Sequence, residues 1–210
     1  MKVRDYTVKE TLYRGRDTLV YRAVNLDNQD VVLKVNTPEQ TSRDKLNRLS
    51  HEYHILNYLS DVEGIPRTID LLNIGLQRFL ILEDIDGLNL AAMSNVNPLS
   101  IDQILNIVSQ LVSILGYIHQ KDIIHKDINP SNIIWIEKTQ QIKLIDFGIA
   151  SALSKEQVPL KKANVLEETL AYISQEQTGR MNRDIDYRSD YYSLGIMLYE
   201  LVTGQLPFNN

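Results

Sequence analysis

The chain has 210 residues, of which 43% are hydrophobic and 23% charged, and its formal net charge is −5. A chain of this length can bury a large core, either as one domain or as two smaller lobes. Acidic and basic residues are mixed along it, so no basic stripe indicates a nucleic-acid partner. The sequence contains no cysteine, which excludes disulfides, thiolate zinc sites and thiol catalysis and fits a reducing cytoplasm.

The sequence shows no sign of a targeting or membrane segment. Residues 1–5 lack the apolar run of a secretory signal peptide. The uninterrupted apolar stretches are far shorter than the roughly 20 residues that cross a bilayer. We therefore expect a soluble, cytoplasmic protein without membrane insertion.

The first third of the chain is predicted to form short strands around one helix. Segments rich in β-branched and aromatic residues alternate with turn-forming stretches. The predicted strands are residues 6–13, 18–24, 30–35, 68–74 and 76–83. Between the third and fourth strands, leucines and Tyr53 recur at helical spacing and predict a helix over residues 42–59.

The next part of the chain is predicted to be mainly helical. Ser100 and Gln103 have the spacing of a capping box, and apolar residues then recur at helical spacing as far as Ile118. Two short apolar runs, residues 133–136 and 142–145, predict a small strand pair.

A polar stretch without periodicity runs from residue 151 to about 169, and a last helix is predicted over residues 191–203. The chain thus divides into a β-rich part, residues 1–85, and an α-rich part, residues 86–210. This order predicts an α+β fold.

The strongest chemical signal is the octapeptide HKDINPSN at residues 125–132, followed by DFG at residues 146–148. Asp127 and Asn132 lie on one predicted loop, and Asp146 follows the predicted strand pair. Carboxylate and amide oxygens are the ligands that Mg²⁺ prefers. Phosphoryl transfer from ATP needs such a metal and a group that orients the attacking hydroxyl. Each residue alone would be an ordinary turn residue, but together they indicate phosphoryl transfer.

From residue 6 to its last residue the chain resembles protein kinases of the serine/threonine type. The resemblance implies a bilobal fold in which residues 1–85 form the ATP-covering N-lobe. Residues 86–210 would form an incomplete C-lobe that ends after its central helix. It also implies ATP and Mg²⁺ as cofactors and a protein with a Ser or Thr acceptor as substrate.

The resemblance also implies roles for particular residues. Asp127 is expected to orient the substrate hydroxyl, and Asn132 and Asp146 to bind the metal. Thr169 matches the threonine that contacts the catalytic Asp. The residues expected to contact or support the nucleotide are Gly15, Val20, Lys34, Glu52, Glu83, Ile85 and Asp146.

Lys34 ends the third predicted strand and resembles the family's phosphate-binding lysine. Glu52 falls on the same predicted helix face as Leu49 and Leu56. A buried carboxylate without a partner costs several kcal/mol, so we expect Glu52 to pair with Lys34, as in active kinases. The alternative is a glutamate at the helix edge that reaches solvent.

The sequence departs from the family pattern at several positions. Only Gly15 falls on a glycine position of the phosphate-covering loop, where Tyr13 and Thr18 replace the other two. Asn129 replaces the lysine that normally contacts the transferred phosphate, and Gln175 replaces a proline. With one glycine the loop is expected to cover ATP in a stiffer shape or less completely, and Asn129 predicts a different rate or substrate choice.

Two downstream segments also resemble the family. ETLAYISQE at residues 168–176 resembles the end of an activation segment, and Glu176 matches a glutamate that pairs with an arginine from a later helix. SDYYSLG at residues 189–195 resembles the start of the helix that anchors the catalytic loop. Its Asp190 is expected to accept hydrogen bonds from the backbone of that loop.

A narrower resemblance links residues 124–132 and 177–183 to the kinase domain at the front of large bacterial multi-sensor signalling proteins. It implies further sensor or signalling domains in a longer chain. Two other functions stay open: a pseudokinase that acts as a scaffold or regulatory module, and a small-molecule kinase of the aminoglycoside or choline type. Thr169 favours serine/threonine over tyrosine specificity.

Overall fold

The computed structural model describes residues 1–15, 17–37, 43–96, 98–152, 170–178 and 184–208. The chain divides into two compact units, each formed by two segments that are separate in the sequence. Unit 1 comprises Met1–Asp61 and Pro66–Asp86, and unit 2 comprises Val62–Ile65 and Gly87–Asn210. Sheets and helices are combined, which confirms the predicted α+β class.

Unit 1 is a six-stranded antiparallel sheet with one helix, α1 (Arg43–Tyr58). Its strands are β1 (Lys2–Val3), β2 (Tyr6–Arg14), β3 (Thr18–Val24), β4 (Asp30–Asn36), β5 (Thr68–Ile74) and β6 (Gln77–Glu83). Their order across the sheet is β1-β2-β3-β4-β6-β5. The helix packs against β4, β5 and β6, so the chain leaves the sheet after β4 and returns at its far edge.

The core of unit 1 follows from the two-residue period of the strands. On β4, Val31, Leu33 and Val35 alternate toward one face and are at most 2% exposed. They pack with Ala23, Phe79 and Ile81 from neighbouring strands. Successive side chains of a strand point to opposite faces, so Lys34 leaves the sheet on the other side.

Unit 2 contains three α-helices, α2 (Leu90–Val96), α3 (Ile101–Gln120) and α4 (Arg188–Thr203), among its described residues. Its short strands are β7 (Leu88–Asn89), β8 (Ile123–Ile124), β9 (Ile133–Ile136), β10 (Gln141–Leu144) and β11 (Ser151–Ala152). Two 3₁₀ helices, Pro130–Asn132 and Gln175–Thr178, complete it. The last helix begins at Arg188, three residues before the predicted start. The prediction missed these residues because the first turn is polar and carries no apolar signal.

Helix α3 forms the centre of unit 2. The predicted capping box is confirmed: the Ser100 hydroxyl accepts the Gln103 N–H, and the Gln103 side chain accepts the Ser100 N–H. One face of the helix is buried, and it consists of Ile104, Ile107, Leu111, Ile114, Leu115 and Ile118. The helix packs against α4, β8 and β10.

By length and mean hydropathy (1.4), α3 is also the one helix among the described residues that could cross a membrane. Polar residues interrupt α3, so the helix contains no long uninterrupted apolar run and was not predicted as a membrane segment. The core helix of a soluble protein passes the same test, so this property is weak evidence for a membrane span.

Candidate active site

The predicted ion pair between Lys34 and Glu52 is present in unit 1. The Lys34 ammonium lies 2.9 Å and 2.8 Å from the two carboxylate oxygens of Glu52. Glu52 is only 2% exposed, which excludes a side chain that reaches solvent. Each charge would be costly to bury alone. The pair therefore holds the Lys34 ammonium group in place.

In unit 2, Asp127 lies between β8 and the 3₁₀ helix Pro130–Asn132. Its carboxylate accepts hydrogen bonds on both oxygens. The Asn132 amide nitrogen donates to Oδ2 at 2.9 Å, and the Asn129 amide nitrogen donates to Oδ1 at 3.0 Å. The same two amides also reach the Asp127 carbonyl, at 2.8 Å and 3.2 Å. The direction of the carboxylate is therefore fixed from two sides.

His125 connects this loop to the segment that follows β10. Its Nδ1 accepts the Asp127 N–H at 3.3 Å, so the ring proton belongs on Nε2, which lies 3.1 Å from the Ile145 carbonyl. The ring is fully buried and meets the Phe147 ring edge to face at 4.6 Å. Packing and hydrogen bonding thus join the two candidate motifs.

Strand register brings Asn132 and Asp146 to the same end of the β9–β10 hairpin. Ile133 pairs with Leu144, and the next residue, Ile145, donates its N–H to the Asn132 carbonyl at 2.9 Å. Asp146 has a left-handed backbone (φ 65°), which non-glycine residues adopt rarely and mostly at functional sites. Its carboxylate accepts the Gly148 N–H at 3.2 Å.

These residues fit a magnesium–nucleotide complex better than a free metal ion. Among the described residues, no group of three or more His, Asp and Glu side chains could hold a metal alone. Mg²⁺ typically takes one or two protein oxygens and completes its shell with phosphate oxygens and water. The Asn132 amide nitrogen points at Asp127, so its amide oxygen is the atom of this side chain that could serve as a metal ligand, together with the Asp146 carboxylate.

Gly15 is in contact with Thr18 and Tyr13, its near neighbours in the chain. The Gly15 N–H donates to the Thr18 carbonyl at 2.9 Å. A Cβ atom added to Gly15 would lie 2.6 Å from the Tyr13 ring. The tyrosine that replaces the family's first glycine therefore occupies the space beside this glycine, and the Gly15 N–H is already bonded.

The other predicted nucleotide contacts all lie in unit 1. Val20 is directly opposite Lys34 in the β3–β4 register, so both side chains share a face. Glu83 is the last residue of β6. Its N–H donates to the Arg67 carbonyl at 3.0 Å, and its carboxylate accepts a hydrogen bond from the Arg67 Nε at 3.0 Å. Ile85 follows and is half-buried.

Asp190, in the first turn of α4, accepts hydrogen bonds from the backbone of the loop that carries Asp127, as predicted. Its carboxylate is fully buried and accepts the backbone N–H groups of His125 at 2.9 Å and Lys126 at 2.7 Å. His119, at the end of α3, lies 2.8 Å from the same carboxylate. His119 was not predicted to have a role, because a lone histidine in a helix has no specific pattern.

A second link to the loop comes from Gln177, which is 1% exposed. Its amide nitrogen donates to the Lys126 carbonyl at 2.9 Å. Its amide oxygen accepts the N–H and the hydroxyl of Ser174, at 3.2 Å and 2.9 Å. Gln177 lies in a segment that resembles the family, but it was not predicted to have a role.

Glu176 is held by hydrogen bonds. Its carboxylate accepts the Ser189 hydroxyl at 2.8 Å. Burial raises the pKa of this carboxyl, but hydrogen bonds from its own N–H and from the Ser189 hydroxyl outweigh burial and lower the pKa below its usual value.

Thr169, which was predicted to contact Asp127, lies outside the described residues. Gln175, where the family has proline, is exposed and begins the 3₁₀ helix Gln175–Thr178.

Comparison with known proteins supports the resemblance to protein kinases. The family described as "Protein kinase domain" matches residues 6–210. A probable serine/threonine-protein kinase PknB from Lactococcus lactis is 31% identical over 203 residues, which cover 94% of this chain and 30% of that protein. Serine/threonine-protein kinase PrkC from Bacillus subtilis is 35% identical over 69% of this chain and 22% of its own length. The chain therefore spans less than a third of these relatives.

Proposed function

Because the chain belongs to the protein kinase family, we propose that it transfers the γ-phosphate of ATP to a serine or threonine hydroxyl of a protein. The relatives named serine/threonine-protein kinases support this acceptor class. The observation that carries the proposal is the Asp127 carboxylate, which two amides hold in one direction. A carboxylate fixed in this way can orient a hydroxyl for attack.

In the proposed reaction Asp127 accepts the proton of the substrate hydroxyl. Asn132 and Asp146 hold the metal through their side-chain oxygens. Lys34, kept in place by Glu52, binds phosphate oxygens. When bound, ATP supplies the phosphoryl group and Mg²⁺ neutralises the charge that develops on it. The remaining proposed contacts follow the family pattern: Gly15, Val20, Glu83 and Ile85 to the nucleotide, and Thr169 to Asp127.

Replacing Asp127 with asparagine tests this proposal. Asp127→Asn should lower phosphoryl transfer by about 10²- to 10⁴-fold, the usual contribution of a catalytic base. Affinity for Mg-ATP should survive, because Asp127 acts on the hydroxyl and not on the nucleotide. Transfer is measured with radiolabelled ATP and a mixed serine/threonine peptide substrate, and affinity by calorimetry.

Asp122→Asn is the matched control, because Asp122 is exposed and lies in the turn just before the loop. Its backbone is left-handed (φ 59°), a conformation that asparagine tolerates. Equal transfer rates in the Asp127 variant and the parent chain would contradict the proposed role.

We further propose that the chain acts in the cytoplasm beside sensor or signalling domains of a longer protein, without nucleic-acid binding or membrane insertion. The resemblance of residues 124–132 and 177–183 to multi-sensor kinases supports this arrangement. Fractionation of cells that express the full reading frame, with an antibody against this chain, tests it. Recovery in the membrane fraction after a high-salt wash would contradict the proposal.

A further inference from the structure

Asn129 uses both ends of its side chain within the catalytic loop. Its amide oxygen accepts the Ser131 N–H at 2.9 Å and so caps the 3₁₀ helix Pro130–Asn132. Its amide nitrogen donates to the carboxylate and the carbonyl of Asp127, at 3.0 Å and 3.2 Å. The side chain is buried, with 7% of the residue exposed. An amide nitrogen carries two hydrogens, and both are directed at Asp127.

This arrangement restrains the torsion that matters for the proposed chemistry. The last torsion of an aspartate side chain is broad and weakly restrained by itself. Asn132 holds one carboxylate oxygen and Asn129 holds the other. Rotation of the carboxylate would therefore break a hydrogen bond on each side. Without Asn129, the second oxygen would lose a hydrogen bond that helps to set the plane of the group.

A lysine at position 129 could not make the same contacts. An ammonium group donates but cannot accept, so it cannot cap the Ser131 N–H. The asparagine side chain is short, its donors are directed at Asp127, and it carries no charge to attract a phosphate. The two residue types therefore suit different tasks at the same position.

We propose that Asn129 is a positioning residue that fixes the Asp127 carboxylate for attack and does not contact the transferred phosphate. This inference rests on the proposed kinase activity. It assigns to position 129 an effect on the chemical step and none on nucleotide affinity.

Asn129→Ser separates capping from positioning. Serine is as good a cap as asparagine, but its hydroxyl is too short to reach the Asp127 carboxylate while it caps. Single-turnover transfer at saturating Mg-ATP and peptide should fall by about ten- to a hundredfold, the usual effect of one lost hydrogen bond to a charged group. The dissociation constant for Mg-ATP should stay within about twofold of the parent value, since the nucleotide contacts are unchanged. Asn129→Gly, which removes the donor without adding a charge and in which glycine is still a tolerated cap residue, is a second variant in case the first does not fold.

Asn47→Ser is the control, since Asn47 is exposed on α1 and the substitution is the same. Crystal structures of the three variants give a readout that does not depend on activity. The Asp127 carboxylate should rotate out of its parent plane in both position-129 variants and keep its plane in Asn47→Ser.

The proposal is overturned if Asn129→Ser transfers phosphate at the parent rate. It is also overturned if the rate falls only in proportion to a weaker affinity for Mg-ATP, which would indicate a phosphate contact. If the parent chain itself transfers no phosphate, the proposed kinase activity fails, and the crystal structures still decide the positioning. An Asp127 carboxylate with an unchanged plane in both position-129 variants would then overturn it.

Discussion

At the scale of single residues, the cost of burying a lone charge brings Lys34 and Glu52 together as a buried ion pair. Glu52 repeats the spacing of apolar residues on a helix, and Lys34 lies in a strand of alternating buried residues. A buried carboxylate needs a cation, and Lys34 was the family's candidate. Asn129 had no such signal, since its role depends on hydrogen-bond directions inside a loop. Residue type and spacing do not specify those directions.

The hydrogen bonds to Glu176 lead to a prediction about pH. A carboxyl whose pKa is lower in the folded chain than in the unfolded chain stabilises the fold above its unfolded pKa. The usual value is 4.5 and the folded value lies below it, so this stabilisation is lost as the pH falls through the folded value. Glu176→Gln should be less stable than the parent at pH 7, and the difference should shrink below about pH 4.5.

Urea denaturation of parent and variant at pH 7 and at pH 3.5 measures this difference. Glu63→Gln, at an exposed position, is the control and should match the parent at both pH values. A Glu176→Gln deficit of the same size at both pH values would mean that lost packing, and not the ionised carboxylate, causes it.

At the scale of elements, local patterns predicted most of unit 1. Strands β3 (Thr18–Val24) and β5 (Thr68–Ile74) begin and end where predicted, and the other long strands differ by one residue at an end. Alternation and turn chemistry act over a few residues, so they can be read directly. The two-residue strands β1, β7, β8 and β11 were missed because so short a segment has no period. For β7 and β8 the pairing partners also lie far along the chain.

The Gln177 side chain ties the 3₁₀ helix Gln175–Thr178 to the loop that carries Asp127. In Gln177→Met the Lys126 carbonyl would lose this donor, and the Ser174 N–H and hydroxyl would lose their acceptor. Each buried group that loses its partner costs about 1–3 kcal/mol. Three such groups lose a partner, so we expect the free energy of unfolding to fall by at least that amount. Phosphoryl transfer should fall with it, because the loop backbone is no longer held.

Gln175→Met is the matched control, because Gln175 begins the same 3₁₀ helix and is exposed. Chemical denaturation and single-turnover transfer should give parent values for this control. If both methionine variants behaved alike, the link from Gln177 to Lys126 would not matter for the loop.

At the scale of the whole molecule, bound Mg-ATP should stabilise the folded chain by mass action. A ligand that binds only the folded state at about a hundred times its dissociation constant adds about 2.7 kcal/mol. For a chain of 210 residues, a change of that size raises the melting temperature by several degrees. Asn132 and Asp146 bring two protein oxygens to one end of a hairpin, so the stabilisation should depend on the metal.

We therefore expect Mg-ATP to raise the melting temperature by about 4–10 °C and ATP with excess EDTA to raise it much less. Asp146→Asn should lose most of the magnesium-dependent part, since an amide is a weaker ligand than a carboxylate for this hard cation. Asp27→Asn, in the exposed turn between β3 and β4, should respond like the parent. Thermal shift in the four combinations of nucleotide and metal measures all three chains. The same rise with EDTA as with magnesium would mean that the metal ligands assigned to Asn132 and Asp146 are wrong, and no rise under any condition would argue against nucleotide binding itself.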